Sequence, residues 1–230
     1  MKIAIIVPME IEAKFYREAL NFDRKEMFGS TVFEHFSVNG HDVYLGLSGI
    51  GKVNAAMNLA SLLAKEKIDL VLMTGSAGSL QRDLRQGDLI LANEFKYHDA
   101  DNRQAGNYVY GQIPQEPAAY VLGSDARRQF LSFISEKKVK YKEGLIVTGD
   151  SFIASSEQKQ TILTHFPDAL GVEMEGAAFA QVAEHFKVPL IALRAISDNG
   201  DESANEDFEE FVAKAGKNAA EILIDYLKAM

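Results

Sequence analysis

The chain has 230 residues, 47% of them hydrophobic and spread along its length, enough to bury a core without covalent staples. Its 33 acidic side chains against 24 basic ones leave a formal charge of −9, and no basic cluster larger than Lys137-Lys138 opposes it, which disfavours nucleic acid as a partner. Zero cysteines exclude a disulfide scaffold, a thiolate nucleophile and a cysteine-based zinc site.

In chain order, the apolar run 3–7 follows Met1-Lys2 and stops at Pro8. It is too short for the core of a secretory signal, and no stretch approaches the ~20 apolar residues that cross a bilayer. The expectation is a buried strand in a cytoplasmic protein with no membrane partner. Further apolar runs recur at 43–47, 70–73, 89–92, 145–147, 169–172 and 190–196, each closed by small or turn residues. Continuous rather than alternating apolarity marks strands covered on both faces, as in α/β sheets. Between 31–38 and 41–47, Asn39-Gly40 suits the positive φ angles of a two-residue hairpin turn, so the sheet is predicted to be mixed.

Helices are predicted at 53–65, at 124–137 with Ser124 as N-cap, and at 176–186, which must end before Val188-Pro189. In the last segment Phe208, Phe211, Val212, Ala215, Ala219, Ile222, Leu223 and Tyr226 keep the i, i+3, i+4 rhythm of a helix on a core. No linker interrupts this alternation, so one domain over 1–230 is expected. Residues 93–123, polar and containing glycine and proline, are longer than an ordinary connection and point to a functional or partner surface.

Two glycine-rich segments invite a phosphate reading. Residues 46–52 meet the spacing GxxxxGK, but Val53 stands where a hydroxyl must hold magnesium, so the match is read as accidental. Residues 74–79 lack the dinucleotide spacing, yet as a turn just beyond the run 70–73 they would let a ligand approach backbone N–H groups closely.

The informative acids follow apolar runs. Glu10 and Glu12 come after the first, Asp150 after 145–147, Glu173 and Glu175 after 169–172, and Asp198 after 190–196. Glu10 and Asp150 suit capping or surface roles. Acids delivered by four separate strands to one sheet edge raise one another's pKa values and are rarely kept for stability alone. Such a gathering suits glycosidic hydrolysis, where one carboxylic acid protonates the leaving group and one carboxylate activates water. HExxH is absent and the five histidines are scattered, so no metal is expected; His98, within Tyr97-His98-Asp99-Ala100-Asp101, reads as part of a loop-ordering network.

Met9-Glu10-x-Glu12, Ser48-Gly-Ile-Gly-Lys52, Thr74-Gly-Ser-Ala-Gly78, Tyr97-His-Asp-Ala-Asp101, Gly149-Asp-Ser-Phe152-Ile153, Val172-Glu-Met-Glu175 and Arg194-Ala-Ile-Ser-Asp198 occur in this order along nearly the whole chain. Together they resemble the bacterial 5′-methylthioadenosine/S-adenosylhomocysteine nucleosidases. The resemblance implies a three-layer α/β/α sandwich with a mixed central sheet, nucleoside phosphorylase-like, and a homodimer without metal or cofactor. It implies hydrolysis of the N-glycosidic bond of methylthioadenosine, S-adenosylhomocysteine and 5′-deoxyadenosine, in methionine salvage and methyl-cycle detoxification. Glu12 would activate water, and Asp198, reached through Ser197, would protonate N7 of adenine. Glu175 would bind the ribose hydroxyls, Glu173 would support the water and sugar network, and Met174 would pack on the sugar. Phe152 would stack on adenine while the backbone of Ile153 reads its edge, with Ser76 and Gly78 on the water side. Met9, Ile50 and Phe208 would surround the 5′-thio group, and loop 93–114 would complete the neighbouring subunit's pocket.

Two departures from the family pattern concern that pocket. Loop 102–107 reads Asn102-Arg-Gln-Ala105-Gly-Asn107 where apolar or aromatic side chains are usual, and Pro8 replaces a small residue. Two rivals remain at this point, a phosphate-dependent nucleoside phosphorylase of the same fold and a nucleoside-binding module without catalysis, besides other nucleosidases acting on related adenine compounds. The first would need cationic groups where phosphate enters, whereas the first turn is acidic and Met73, not an arginine, precedes Thr74. The second would have no physical need of both Glu12 and Asp198.

Overall fold

The computed structural model describes residues 1–202 and 208–230, with side chains of the last segment from Phe211 onward. Strand β1 (Lys2–Val7) lies between β4 (His41–Leu47) and β5 (Leu70–Ser79) and runs parallel to both. Beyond β4, the antiparallel strands β3 (Thr31–Val38) and β2 (Phe22–Phe28) form an open wing. The predicted hairpin turn is present, with Asn39 at φ 46° and Gly40 at φ 77°.

On its other edge β5 runs parallel to β10 (Leu190–Asp198) from Val71 to Gly78. Strand β10 is antiparallel to β6 (Leu89–Tyr97), which is parallel to β8 (Lys142–Thr148). Strand β8 is parallel to β9 (Gly171–Glu173), and β9 returns to β5 through Gly78 paired with Val172. These pairings close β5, β10, β6, β8 and β9 into a ring, and a short β7 (Tyr120–Val121) adds to β6. The ring brings the ends of β5, β9 and β10 together, which an open sheet in this order could not do.

Helices cover both faces, as a three-layer α/β/α sandwich with a mixed sheet requires. Ile3, Ile5 and Val7 point toward α1 (Glu10–Ala19), α3 (Asp125–Glu136) and α6 (Phe208–Ala229), in a core with Leu72, Phe130 and Leu223. Ala4 and Ile6 point the other way, toward α2 (Lys52–Leu63) and α5 (Gly176–Phe186), with Leu59, Met73 and Phe179. A smaller cluster under α4 (Ser156–His165) holds Ile153, Ile162 and Val172. Among the described residues no helix is long and apolar enough to cross a membrane.

The predicted helices agree with α2, α3 and α5 to within two residues, and Ser124 Oγ accepts the Arg127 N–H as an N-cap should. Three expectations change. Residues 74–79 are not a turn but the continuation of β5, because β10 and β9 pair with them. Residues 93–97 belong to β6, past an irregularity between Ala92 and Glu94. The run 169–172 becomes β9 only from Gly171, so Glu173 ends the strand rather than following it. Strand β2 and helix α4 are too polar for their apolar periodicity to stand out.

Candidate active site

A cleft of about 490 Å³, open to solvent, lies where β5, β9 and β10 converge. Ser76 and Gly78 line it from β5, Glu173 from the end of β9, and Ser197 and Asp198 from the end of β10. Met174 and Glu175 follow β9, Met9 precedes α1, and Ile50 and Phe152 stand half-exposed at the margin. Ten of the residues predicted from the sequence therefore share one cavity. Ile153 directs its side chain into the cluster beneath instead, consistent with only its backbone facing a ligand. Glu12 stands behind the wall, bonded to Ser76, and the side chain of Phe208 lies outside the described residues.

Glu12 occupies the third position of α1, where a carboxylate can reach back to the helix entrance. Its Oε2 accepts the Met9 N–H at 3.2 Å, while Oε1 accepts the Ser76 N–H at 2.9 Å and the Ser76 hydroxyl at 3.3 Å. Burial pushes its pKa up; the charge of Arg194 and the Ser76 N–H pull in the other direction.

Arg194 carries no exposed surface, although it sits in the middle of β10, within the apolar run 190–196. Its Nη2 donates to Glu173 Oε2 at 2.5 Å and to Glu175 Oε2 at 3.1 Å, and it faces Glu12 electrostatically. Room for the guanidinium comes from Gly75, where a methyl group would overlap Arg194 Nη1. The sequence by itself assigns Arg194 no role. The readable signal was a charged residue inside the run 190–196, which a buried strand tolerates only with partners.

Glu173 is held from every side. Thr148 donates its hydroxyl to Oε1, and the N–H groups of Glu175 and Gly176 donate to Oε2 at 3.0 and 2.7 Å, the second from the first turn of α5. Thr148 Oγ1 in turn accepts the Ala177 N–H at 2.8 Å. Glu173 therefore fixes the entrance of α5 and the position of Arg194. Glu175 Oε1 accepts the Gly51 N–H at 3.0 Å; burial pushes its pKa up to about 7 despite the nearby arginine.

The glycine-rich segment 46–52 thus presents its N–H groups to carboxylates. Gly51 serves Glu175, and the Lys52 N–H donates to Asp150 Oδ1 at 2.8 Å. Lys52 Nζ also bonds both oxygens of Asp99, whose Oδ2 accepts the Asp150 N–H at 2.9 Å. His98 is buried beside these groups and burial lowers its pKa, while its carbonyl accepts the Tyr110 hydroxyl at 3.0 Å. Exposed Glu10 pairs with Arg17 on the surface of α1.

Asp198 receives the Ser197 hydroxyl on Oδ2 and the Gly200 N–H on Oδ1, both at 2.8 Å. Burial raises its pKa, partly offset by these two donors. The absence of a side chain at Gly78 leaves the space that Oδ1 occupies. One buried acid disposed to keep a proton thus faces a cleft whose other wall is backed by a carboxylate held on two N–H groups. Among the described residues no three His, Asp or Glu side chains are grouped to hold a metal ion.

Residues 2–228 match the sequence pattern of the phosphorylase superfamily. A 5′-methylthioadenosine/S-adenosylhomocysteine nucleosidase of Staphylococcus carnosus is 41% identical over 228 residues, covering 99% of this chain and 100% of that protein. Among solved structures, the MTA/SAH nucleosidase of Streptococcus pneumoniae in complex with 8-aminoadenine is 37% identical at a TM-score of 0.92, covering 100% of both chains. The S-adenosylhomocysteine nucleosidase of Streptococcus pyogenes in complex with 5-methylthiotubericidin is 36% identical at a TM-score of 0.94, covering 100% of this chain and 97% of that one. The chain belongs to the 5′-methylthioadenosine/S-adenosylhomocysteine nucleosidase family of the phosphorylase superfamily.

Proposed function

We propose that the protein hydrolyses the N-glycosidic bond of 5′-methylthioadenosine and S-adenosylhomocysteine, releasing adenine and the 5′-thio-substituted ribose. The observation that carries this reading is the pairing of Asp198 with Glu12. Burial raises the pKa of both, but Asp198 is answered only by the Ser197 hydroxyl and the Gly200 N–H, whereas the charge of Arg194, the Met9 and Ser76 N–H groups and the Ser76 hydroxyl all favour the carboxylate of Glu12. Full-length relatives named as 5′-methylthioadenosine/S-adenosylhomocysteine nucleosidases support the substrate class.

In this mechanism the Asp198 proton moves to N7 of adenine as the bond from the anomeric carbon to N9 breaks, and that bond's electron pair leaves with the base. Water attacks the anomeric carbon and gives a proton to Glu12. Glu175 accepts the ribose hydroxyls, its carboxylate aimed by Gly51 and Arg194, and Glu173 holds Arg194 in place. Phe152 stacks on adenine and the Ile153 backbone reads its edge. Ser76 and Gly78 border the water side, Met174 packs on the sugar, and Met9 and Ile50 face the 5′ substituent.

Electrostatics favours water over phosphate. Arg194 is enclosed by Glu173, Glu175 and Glu12, so the attacking side carries no surplus positive charge to attract a phosphate dianion. Incubation with methylthioadenosine, S-adenosylhomocysteine and inosine, each with and without phosphate, tests this by free-base release. Cleavage of the two thio-substrates without phosphate is expected; a strict phosphate requirement would move the protein to the phosphorylases.

The same reading assigns a homodimer in which loop 93–114 closes the neighbour's pocket. Exposed Val53 and Met57 on α2, beside exposed Ile50 and Phe186, support it, since such a patch favours burial against a second copy. Sedimentation as a particle of two chains is the expected result.

A further inference from the structure

Helix α4 places no side chain in the cleft, yet its first turns hold the segment that follows Asp198. Asp198 is the last residue of β10, and its Oδ1 accepts the Gly200 N–H, so the direction of the carboxyl depends on where residues 199 and 200 sit. Lys159 Nζ donates to the Asn199 carbonyl at 2.6 Å and to the Ser79 carbonyl at 2.8 Å. Ser79 ends β5 and follows Gly78, the residue that makes room for Asp198 Oδ1. One ammonium thus fastens both walls around the acid. A second tie lies one turn earlier, where Glu202 accepts the Ser156 N–H at 2.9 Å and the Ser156 hydroxyl at 2.7 Å.

We propose that Lys159 is a positioning residue for the general acid: by bonding the Asn199 and Ser79 carbonyls at once, it sets the turn that aims the Asp198 carboxyl into the cleft. The inference rests on Asp198 being the acid of the proposed reaction.

Lys159 also acts through its charge. The charged groups facing it are Asp198, Asp201 and Arg82, while those facing Asp198 are Asp201 and Lys159 itself. A cation there favours the Asp198 carboxylate and works against the burial that keeps the acid protonated. Loss of Lys159 therefore has two separable consequences, a less well-aimed acid and an acid that holds its proton to higher pH. A lysine that merely stabilised α4 would produce neither.

The test is steady-state cleavage of methylthioadenosine across the pH range by full-length Lys159→Met, Lys159→Arg and Ser156→Ala, with the folded fraction followed by circular dichroism. Lys159→Met is expected to lower kcat about 10- to 100-fold, the scale of a small misplacement of a reacting group. KM should stay within about threefold, since ground-state binding is untouched. The alkaline limb of kcat/KM should move upward, and Lys159→Arg should restore most of kcat with the limb returned. Ser156→Ala should lower kcat modestly without moving the limb. A folded Lys159→Met with the parent kcat and an unmoved limb overturns the proposal, as does a loss of kcat that only tracks loss of folded protein. Full activity in Asp198→Asn would sink the assignment of the acid and the clamp with it, whereas an unaffected Lys159→Met in an Asp198-dependent enzyme sinks the clamp alone.

Discussion

Arg194 donates from one nitrogen, Nη2, to Glu173 at 2.5 Å and to Glu175 at 3.1 Å, so a single buried cation orients carboxylates from the end of β9 and the entrance of α5. With Glu12 also in its field, three buried acids surround one buried cation at the floor of the cleft. Such an arrangement is a poor source of net stability but a strict source of geometry, because each member is placed by its bonds to the others.

Removing that cation should therefore be costly. Arg194→Met leaves Glu173 and Glu175 buried without their shared donor, and the expected loss is about 3–5 kcal/mol at neutral pH. Urea denaturation of the variant measures it. A loss below about 1 kcal/mol would mean that the carboxylates find other partners or protons without penalty.

The raised pKa of Glu175 also gives stability a definite pH dependence. Its native pKa of about 7 lies above the ordinary 4.5, so between those values the folded protein holds a proton that the unfolded chain has released. Unfolding free energy must then fall as pH rises through this window, by up to on the order of 3 kcal/mol from this group. Glu12 and Asp198, both raised by burial, act in the same direction. Urea midpoints measured across the window should decline in the parent protein and decline less in Glu175→Gln. Parallel declines in the two proteins would count against the assignment.

Gly75→Ala probes the packing that makes Arg194 possible. The residue sits at φ 147°, a conformation L side chains rarely adopt, and a methyl group there meets Arg194 Nη1 as well as Glu12 Oε1 at 3.0 Å. Backbone strain alone costs about 1–3 kcal/mol, and the displaced guanidinium adds to it. The variant should be destabilised by at least about 2 kcal/mol and lose activity even where it folds. An alanine variant as stable and active as the parent would show that β5 can shift without disturbing the site.

Much of this architecture is written locally in the chain. Asn39-Gly40 specifies its hairpin because only such residues accept both positive φ angles, and Ser124 announces α3 because it can bond the N–H of Arg127. Ten predicted site residues reach one cleft because their motifs sit at the ends of strands or beside them. What stayed hidden depends on contacts between segments distant in sequence. Residues 74–79 look like a turn until β10 and β9 pair with them, and the closing of the strand ring cannot be seen in any one apolar run. Arg194 looked like part of a motif, since neither Gly75 beneath it nor the partners on β9 and α5 are sequence neighbours. Lys159 lies on a helix of weak periodicity, and its partners, Ser79 and Asn199, are 80 and 40 residues away.

The most direct measurement of the central claim is turnover and ligand binding by Asp198→Asn. The amide keeps the shape of the side chain but has no acidic proton to give to adenine, so kcat should fall about 10²- to 10⁴-fold while methylthioadenosine still binds with nearly the parent affinity. Full turnover in this variant, or loss of binding in step with loss of turnover, would contradict the role of Asp198 as the acid.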